Sequence, residues 1–109
     1  MISETHIFEV QNGADLVLDS SNVNGQRFQD GNRNAQLQVS NLGGGTFTVA
    51  YRYVRGTQFT NHVEDATEVD SVVLAGDKAP VFEALKISFN NVPNATTQIV
   101  TLTTWIRGL

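Results

Sequence analysis

Acid–base, metal or nucleophile chemistry in this chain would rest on two histidines, His6 and His62, eleven carboxylates and a few hydroxyls, because the 109 residues contain no cysteine. Without thiols there is no disulfide, no thiolate nucleophile, and no thiolate zinc or iron–sulfur site. The histidines stand far apart with no HExxH spacing and read as surface residues on strand edges. Ser20, Ser21, Ser40, Ser71 and Ser88 fall in turns or strands, none in a G-x-S-x-G setting. Gly43-Gly44-Gly45 lacks the lysine and the strand-to-helix context of a phosphate loop, so it reads as a turn. Two groups of oxygen donors invite a hard cation. In Asp30-Gly31-Asn32-Arg33-Asn34 the donors alternate as at the start of an EF-hand loop. Ala35, however, stands where that loop needs glycine, and Asn41 where it needs a bidentate glutamate. The second group, Glu64, Asp65, Glu68 and Asp70 near His62, reads as an acidic connection. Both are taken as solvated loops, so neither metal nor cofactor is expected, and the chain is expected not to be an enzyme.

Binding chemistry is better supplied. Trp105, Tyr51 and Tyr53 are the residues suited to an aromatic platform for a sugar or a protein partner. Tyr51 and Tyr53 share the period of Phe47 and Val49 and are expected in the core. If Val100, Leu102 and Ile106 face inward, then Thr101, Thr103 and Trp105 face outward, as either a ligand platform or a subunit contact. Asn94-Ala95-Thr96 fits the glycosylation pattern and is read as a turn.

The net charge is −4, and Arg27, Arg33, Arg52, Arg55, Lys78, Lys86 and Arg107 are scattered. Phosphate backbones and anionic lipids need clustered cations, so neither nucleic acid nor a membrane surface is an expected partner. The apolar stretches, such as Val72-Val73-Leu74-Ala75, are far shorter than the eighteen or so residues that span a bilayer. Met1-Ile2-Ser3-Glu4-Thr5-His6 has no basic region followed by an apolar run, which places synthesis in a cytoplasm.

The elements that must position these residues are strands. Apolar residues recur with period two, and no long window keeps a helical period. Residues 5–10 and 14–19 read as a hairpin about Gln11-Asn12-Gly13, and residues 20–34 as a long loop with a short strand near Arg27-Phe28-Gln29. Ala35–Ser40 and Thr46–Tyr53 read as a second hairpin across the glycines. Further strands are expected over 58–64, 67–74, 81–89 and 97–106; Phe82-Glu83-Ala84-Leu85-Lys86 also suits a helix, but the period of Val81, Leu85, Ile87 and Phe89 favours a strand. A chain this size buries about two-thirds of its extended surface, enough for one core, so residues 1–109 are expected to form a single domain. Seven to nine short antiparallel strands make it an all-β sandwich, either jelly-roll or immunoglobulin-like.

The segments Gly44-Gly45-Thr46-Phe47-Thr48-Val49-Ala50-Tyr51-Arg52-Tyr53 and Ile99-Val100-Thr101-Leu102-Thr103-Thr104-Trp105-Ile106-Arg107-Gly108, in a small cysteine-free sandwich rich in Asn, Thr and Val, resemble accessory virion proteins of tailed bacteriophages. The likeness is one of pattern over the whole chain and transfers no residue role. It implies a capsid decoration or cement protein, made in the host cytoplasm, carried on the virion, oligomeric, and stabilising the particle through repeated contacts with capsid or other virion proteins. The expected contact regions are Thr101, Thr103 and Trp105, with the loops at Asp30 and Asn32 and at Glu64 and Asp65. The alternative is a carbohydrate-binding, lectin-like module.

Overall fold

Alternating apolar and polar residues can bury one side of each strand only if two sheets meet face to face, and this is the arrangement in the computed structural model, which describes residues 3–23, 33–76 and 79–107. Eight strands are present among them: β1 (Ser3–Gln11), β2 (Leu16–Leu18), β3 (Arg33–Ser40), β4 (Thr46–Tyr53), β5 (Phe59–Ala66), β6 (Val72–Leu74), β7 (Phe82–Asn90) and β8 (Thr97–Ile106). They form two antiparallel sheets in the orders β1-β8-β3-β6 and β2-β7-β4-β5. First pairs with last, second with seventh, third with sixth and fourth with fifth. That folded-over ribbon is a jelly roll, which decides between the two topologies the sequence allows. The segment at residues 81–89 is a strand, as its period favoured.

Both expected hairpins are overturned, although their strands are real. β1 and β2 belong to different sheets, as do β3 and β4. Each intervening turn is a corner that carries the chain across the sandwich. At the first, Ala14 N–H donates to the Gln11 carbonyl at 3.1 Å, while Asn12 N–H donates to the Thr96 carbonyl at 2.8 Å and ties the corner to the approach to β8. Asn12 and Gly13 both have positive φ, 55° and 66°, as an Asn-Gly turn requires. At the second, Leu42 is fully buried and Gly45 N–H donates to its carbonyl at 2.9 Å. Gly45 is needed for space: a Cβ there would lie 2.6 Å from the Asn90 carbonyl oxygen and 2.7 Å from that of Asn91.

Other boundaries also shift. The expected strand at 67–74 shrinks to Val72–Leu74, because Asp70 Oδ2 accepts from Thr67 N–H (2.8 Å) and Oγ1 (3.1 Å) and folds 67–70 into a turn. Val69 is left 92% exposed in that turn. Glu64 and Asp65 lie within β5 rather than in a connection. The short strand expected near Arg27-Phe28-Gln29 lies outside the described residues.

The core between the sheets is built from the inward positions: Leu37, Val39, Val100 and Leu102 from one sheet meet Phe47, Val49, Leu85 and Ile87 from the other, all buried. Gln98 shares this inward parity on β8 and is fully buried.

Candidate interaction surface

Period-two geometry assigns the outward side of the β1-β8-β3-β6 sheet to alternate residues, and the strand registers place them in rows. Trp105 lies between Ser3 and Asn34; Thr103 between Thr5 and Gln36, with Val73 beyond; Thr101 between Ile7 and Gln38; Ile99 between Glu9 and Ser40. Glu9 is the one ionisable side chain in those rows. Thr101, Thr103 and Trp105 are half-buried on this face, whereas Val100, Leu102 and Thr104 are buried beneath it. Gln36 donates to Ser71 Oγ at 2.7 Å, and Thr97 Oγ1 to Gln11 Oε1 at 3.0 Å, so the amides and hydroxyls are held by neighbours in a fixed polar surface.

The outward side of the other sheet is the opposite in character. Arg52 pairs with Glu83 at 3.3 Å and Lys86 with Asp15 at 3.7 Å. Both cations lie over the Phe59 ring, at 5.6 and 5.8 Å from its centroid. Glu64 and Asp65 sit at this sheet's outer edge, exposed on β5. They are therefore not part of one surface with Thr101, Thr103 and Trp105. Asp30 and Asn32 lie outside the described residues.

The oxygen donors considered for a cation are each turned to a different neighbour. Glu64 Oε1 accepts from Asn61 Nδ2 at 2.7 Å, Asp65 Oδ1 from Thr46 Oγ1 at 3.4 Å, Glu68 from Leu42 N–H, and Asp70 from Thr67. Among the described residues no three histidine or carboxylate side chains are grouped to hold a metal ion. His62 reaches from β5 across to β6, its Nε2 3.0 Å from the Val73 carbonyl oxygen, and bonds the margins of the two sheets together.

Tyr53 departs from its expected place in the core: it is 52% exposed at the end of β4, while Tyr51 is partly buried against the core. Their rings meet edge to face at 5.1 Å and their hydroxyls lie 3.2 Å apart. The bond to Tyr53 holds the Tyr51 hydroxyl above its ordinary pKa, with smaller contributions from burial and from the charge on Tyr53. At the β2 end, the Ser21 hydroxyl and amide both donate to Asp19 and hold its carboxyl below the ordinary value, against a smaller opposing effect of burial.

A polar cluster around the buried Arg33, at the end of the first sheet, has no counterpart among the sequence expectations. Arg33 is 3% exposed and its Nη2 lies 3.1 Å from Glu4 Oε1; His6 Nε2 is 3.6 Å from Glu4 Oε2, and its ring stacks on Phe8. Alternation carried the signal, since Glu4 and His6 share the parity of Phe8 and Val10, and Arg33 that of Ala35, Leu37 and Val39. Arg107 fastens this end, donating to the carbonyls of Arg33 (3.2 Å), Ala79 (3.3 Å) and Pro80.

The chain matches no family model, no curated protein and no solved structure. What the geometry can do is therefore judged from its surfaces. A cleft of about 200 Å³ lined by Gly44, Gly45, Thr67, Glu68 and Val69 is smaller than the ~300 Å³ at which small-molecule pockets begin. The charge-poor sheet face is the broader candidate.

Proposed function

We propose that this protein is a non-enzymatic structural virion protein of the capsid decoration or cement type, acting through repeated protein–protein contacts. The observation that carries the reading is the outward face of the β1-β8-β3-β6 sheet, where Trp105 and Thr-rich rows carry a single ionisable residue, Glu9. Depletion of charge with an aromatic anchor is what the core of a protein contact needs. With a net charge of −4, placing charges elsewhere limits repulsion where copies sit side by side. The jelly roll supports the reading only as an architecture, because capsid and lectin domains both use it.

A second reading keeps the same face. Trp105 has Asn34 directly beside it, and Gln36 in the next row, an aromatic ring next to amides that suits a carbohydrate.

The test is cosedimentation with purified particles of the virus that encodes the chain, stripped of the protein. The wild type is expected to bind. Trp105→Ala is expected to weaken binding by roughly tenfold or more, as loss of a buried aromatic anchor does, and Val17→Ala on the opposite sheet to leave it unchanged. Absence of particle binding, with glycan-array binding abolished by Trp105→Ala, would replace this reading with the lectin-like one.

A further inference from the structure

A sheet edge exposes a row of unpaired N–H and C=O groups, and proteins protect such edges with short strands, bulges, inward charges or proline. Among the described residues the sandwich has four edges, and three are short, bulged or tied to a neighbour. β2 and β6 are three residues each. β5 is longer, but its register against β4 slips twice, Asp65 takes a positive φ of 54°, and Glu64 and Asp65 put charge along it. Its margin is also bonded to β6 through His62.

Among the described residues β1 carries only one of these devices, the inward Glu4 and His6, and Glu4 is paired with the buried Arg33. The strand runs nine residues, without lysine or proline, and its register with β8 is unbroken from Ser3↔Trp105 to Gln11↔Thr97. At its midpoint Ile7 is 67% exposed on the outward face. We propose that β1 pairs antiparallel with β1 of a second copy of this chain, about a two-fold axis through Ile7. This inference rests on the edge alone and holds for the free protein, whatever particle or ligand the sheet face meets.

The strand is self-complementary about that residue. Centring on Ile7 sets Ile7 against Ile7, Thr5 against Glu9 and Ser3 against Gln11 on the outward side. On the inward side it sets His6 against Phe8 and Glu4 against Val10. No carboxylate faces a carboxylate, and all nine residues find partners; centring on His6 or Phe8 leaves the ends of both strands unpaired. An isologous pair of this kind is the commonest way two copies close on each other. The product is a continuous eight-stranded sheet in the order β6-β3-β8-β1-β1-β8-β3-β6. It covers the exposed isoleucine and joins the two charge-poor faces into one.

Directly opposed residues of an antiparallel pair lie about 4.5–5.5 Å apart at Cα, within the roughly 4.4–6.8 Å that a disulfide spans. Ile7→Cys would supply the chain's one thiol. Under mild oxidation it is expected to cross-link into a covalent dimer, while Val73→Cys on the β6 edge, with β1 intact, gives no covalent dimer. In sedimentation equilibrium the wild type is expected at twice the 11.9 kDa chain mass. Ile7→Lys, which would oppose two ammonium groups, is expected at the monomer mass with an unchanged far-UV spectrum. A monomeric wild type, or Ile7→Cys cross-linking no faster than Val73→Cys, would overturn the proposal. If Ile7→Lys fails to fold, the two cysteine variants still decide it.

Discussion

Replacing Phe47 with alanine is expected to lower the unfolding free energy by about 3–5 kcal/mol, the cost of removing a fully buried phenyl ring and leaving its cavity. Phe47 is fully buried on β4, paired with Phe89 of β7 and Ala66 of β5, and its ring belongs to the cluster that joins the two sheets. Because domains of this size have a net stability of about 5–15 kcal/mol, the loss takes away a third or more of it for most values in that range. Urea titration checks this, with a lower midpoint and an unchanged slope identifying a change in stability alone. Phe47→Leu keeps most of the volume and is expected to cost much less. A loss under about 1 kcal/mol for Phe47→Ala would mean that the two sheets do not pack there, since core truncations of this size cost several times that amount.

Gln98 is expected to be the most sensitive polar position. It is fully buried on β8, where its Oε1 accepts from Gly13 N–H at 2.7 Å and its Nε2 donates to Thr96 Oγ1 at 2.7 Å and to the Asn41 carbonyl at 3.4 Å. One amide thus joins the β1–β2 corner, the β3–β4 corner and the β7–β8 connection. Gln98→Ala leaves the Gly13 N–H without its acceptor, worth about 1–3 kcal/mol, and adds a cavity. A total near 3 kcal/mol is expected in the same titration.

Gln98→Glu separates hydrogen bonding from volume. The Thr96 hydroxyl already donates to the Pro93 carbonyl at 2.6 Å, so an introduced carboxylate would meet the lone pairs of Thr96 Oγ1 and of the Asn41 carbonyl. Burial and those acceptors favour its protonated form and raise its folded-state pKa above the unfolded value. The protonated carboxyl can donate where Nε2 did, so the variant is expected to be most stable below the ordinary glutamate range and to lose stability as pH rises through the raised pKa. A flat pH profile relative to the wild type would contradict this placement of the amide.

Period two in the sequence was sufficient to find the strands and their faces: Thr97–Ile106 is a strand, with Thr101, Thr103 and Trp105 on the side opposite Val100 and Leu102. It was not sufficient to pair them. Asn12-Gly13 and Gly43-Gly44-Gly45 supply positive-φ positions that suit a hairpin and a sheet-to-sheet corner equally. The contacts that make them corners come from residues remote in sequence, Gln98 at the first and Asn90 and Asn91 at the second. Glu64 and Asp65 end up in β5 rather than in an acidic connection because a bulged edge tolerates carboxylates, which seldom favour strands. Glu4, His6 and Arg33 lie at inward positions that alternation alone predicts, and they stay charged-type residues because they meet one another at the end of the sandwich. Function is less legible, since a contact surface without catalytic groups has no motif and is recognised only when its rows are assembled across strands.

The most direct measurement of the proposed virion role is imaging, at a resolution that traces strands, of particles of the virus that encodes the chain. The proposal predicts repeated copies of this jelly roll on the particle, with the Trp105 face of the β1-β8-β3-β6 sheet turned against its neighbours and β1 strands paired. Particles without the protein, or copies attached through the Arg52, Glu83 and Lys86 face instead, would contradict it.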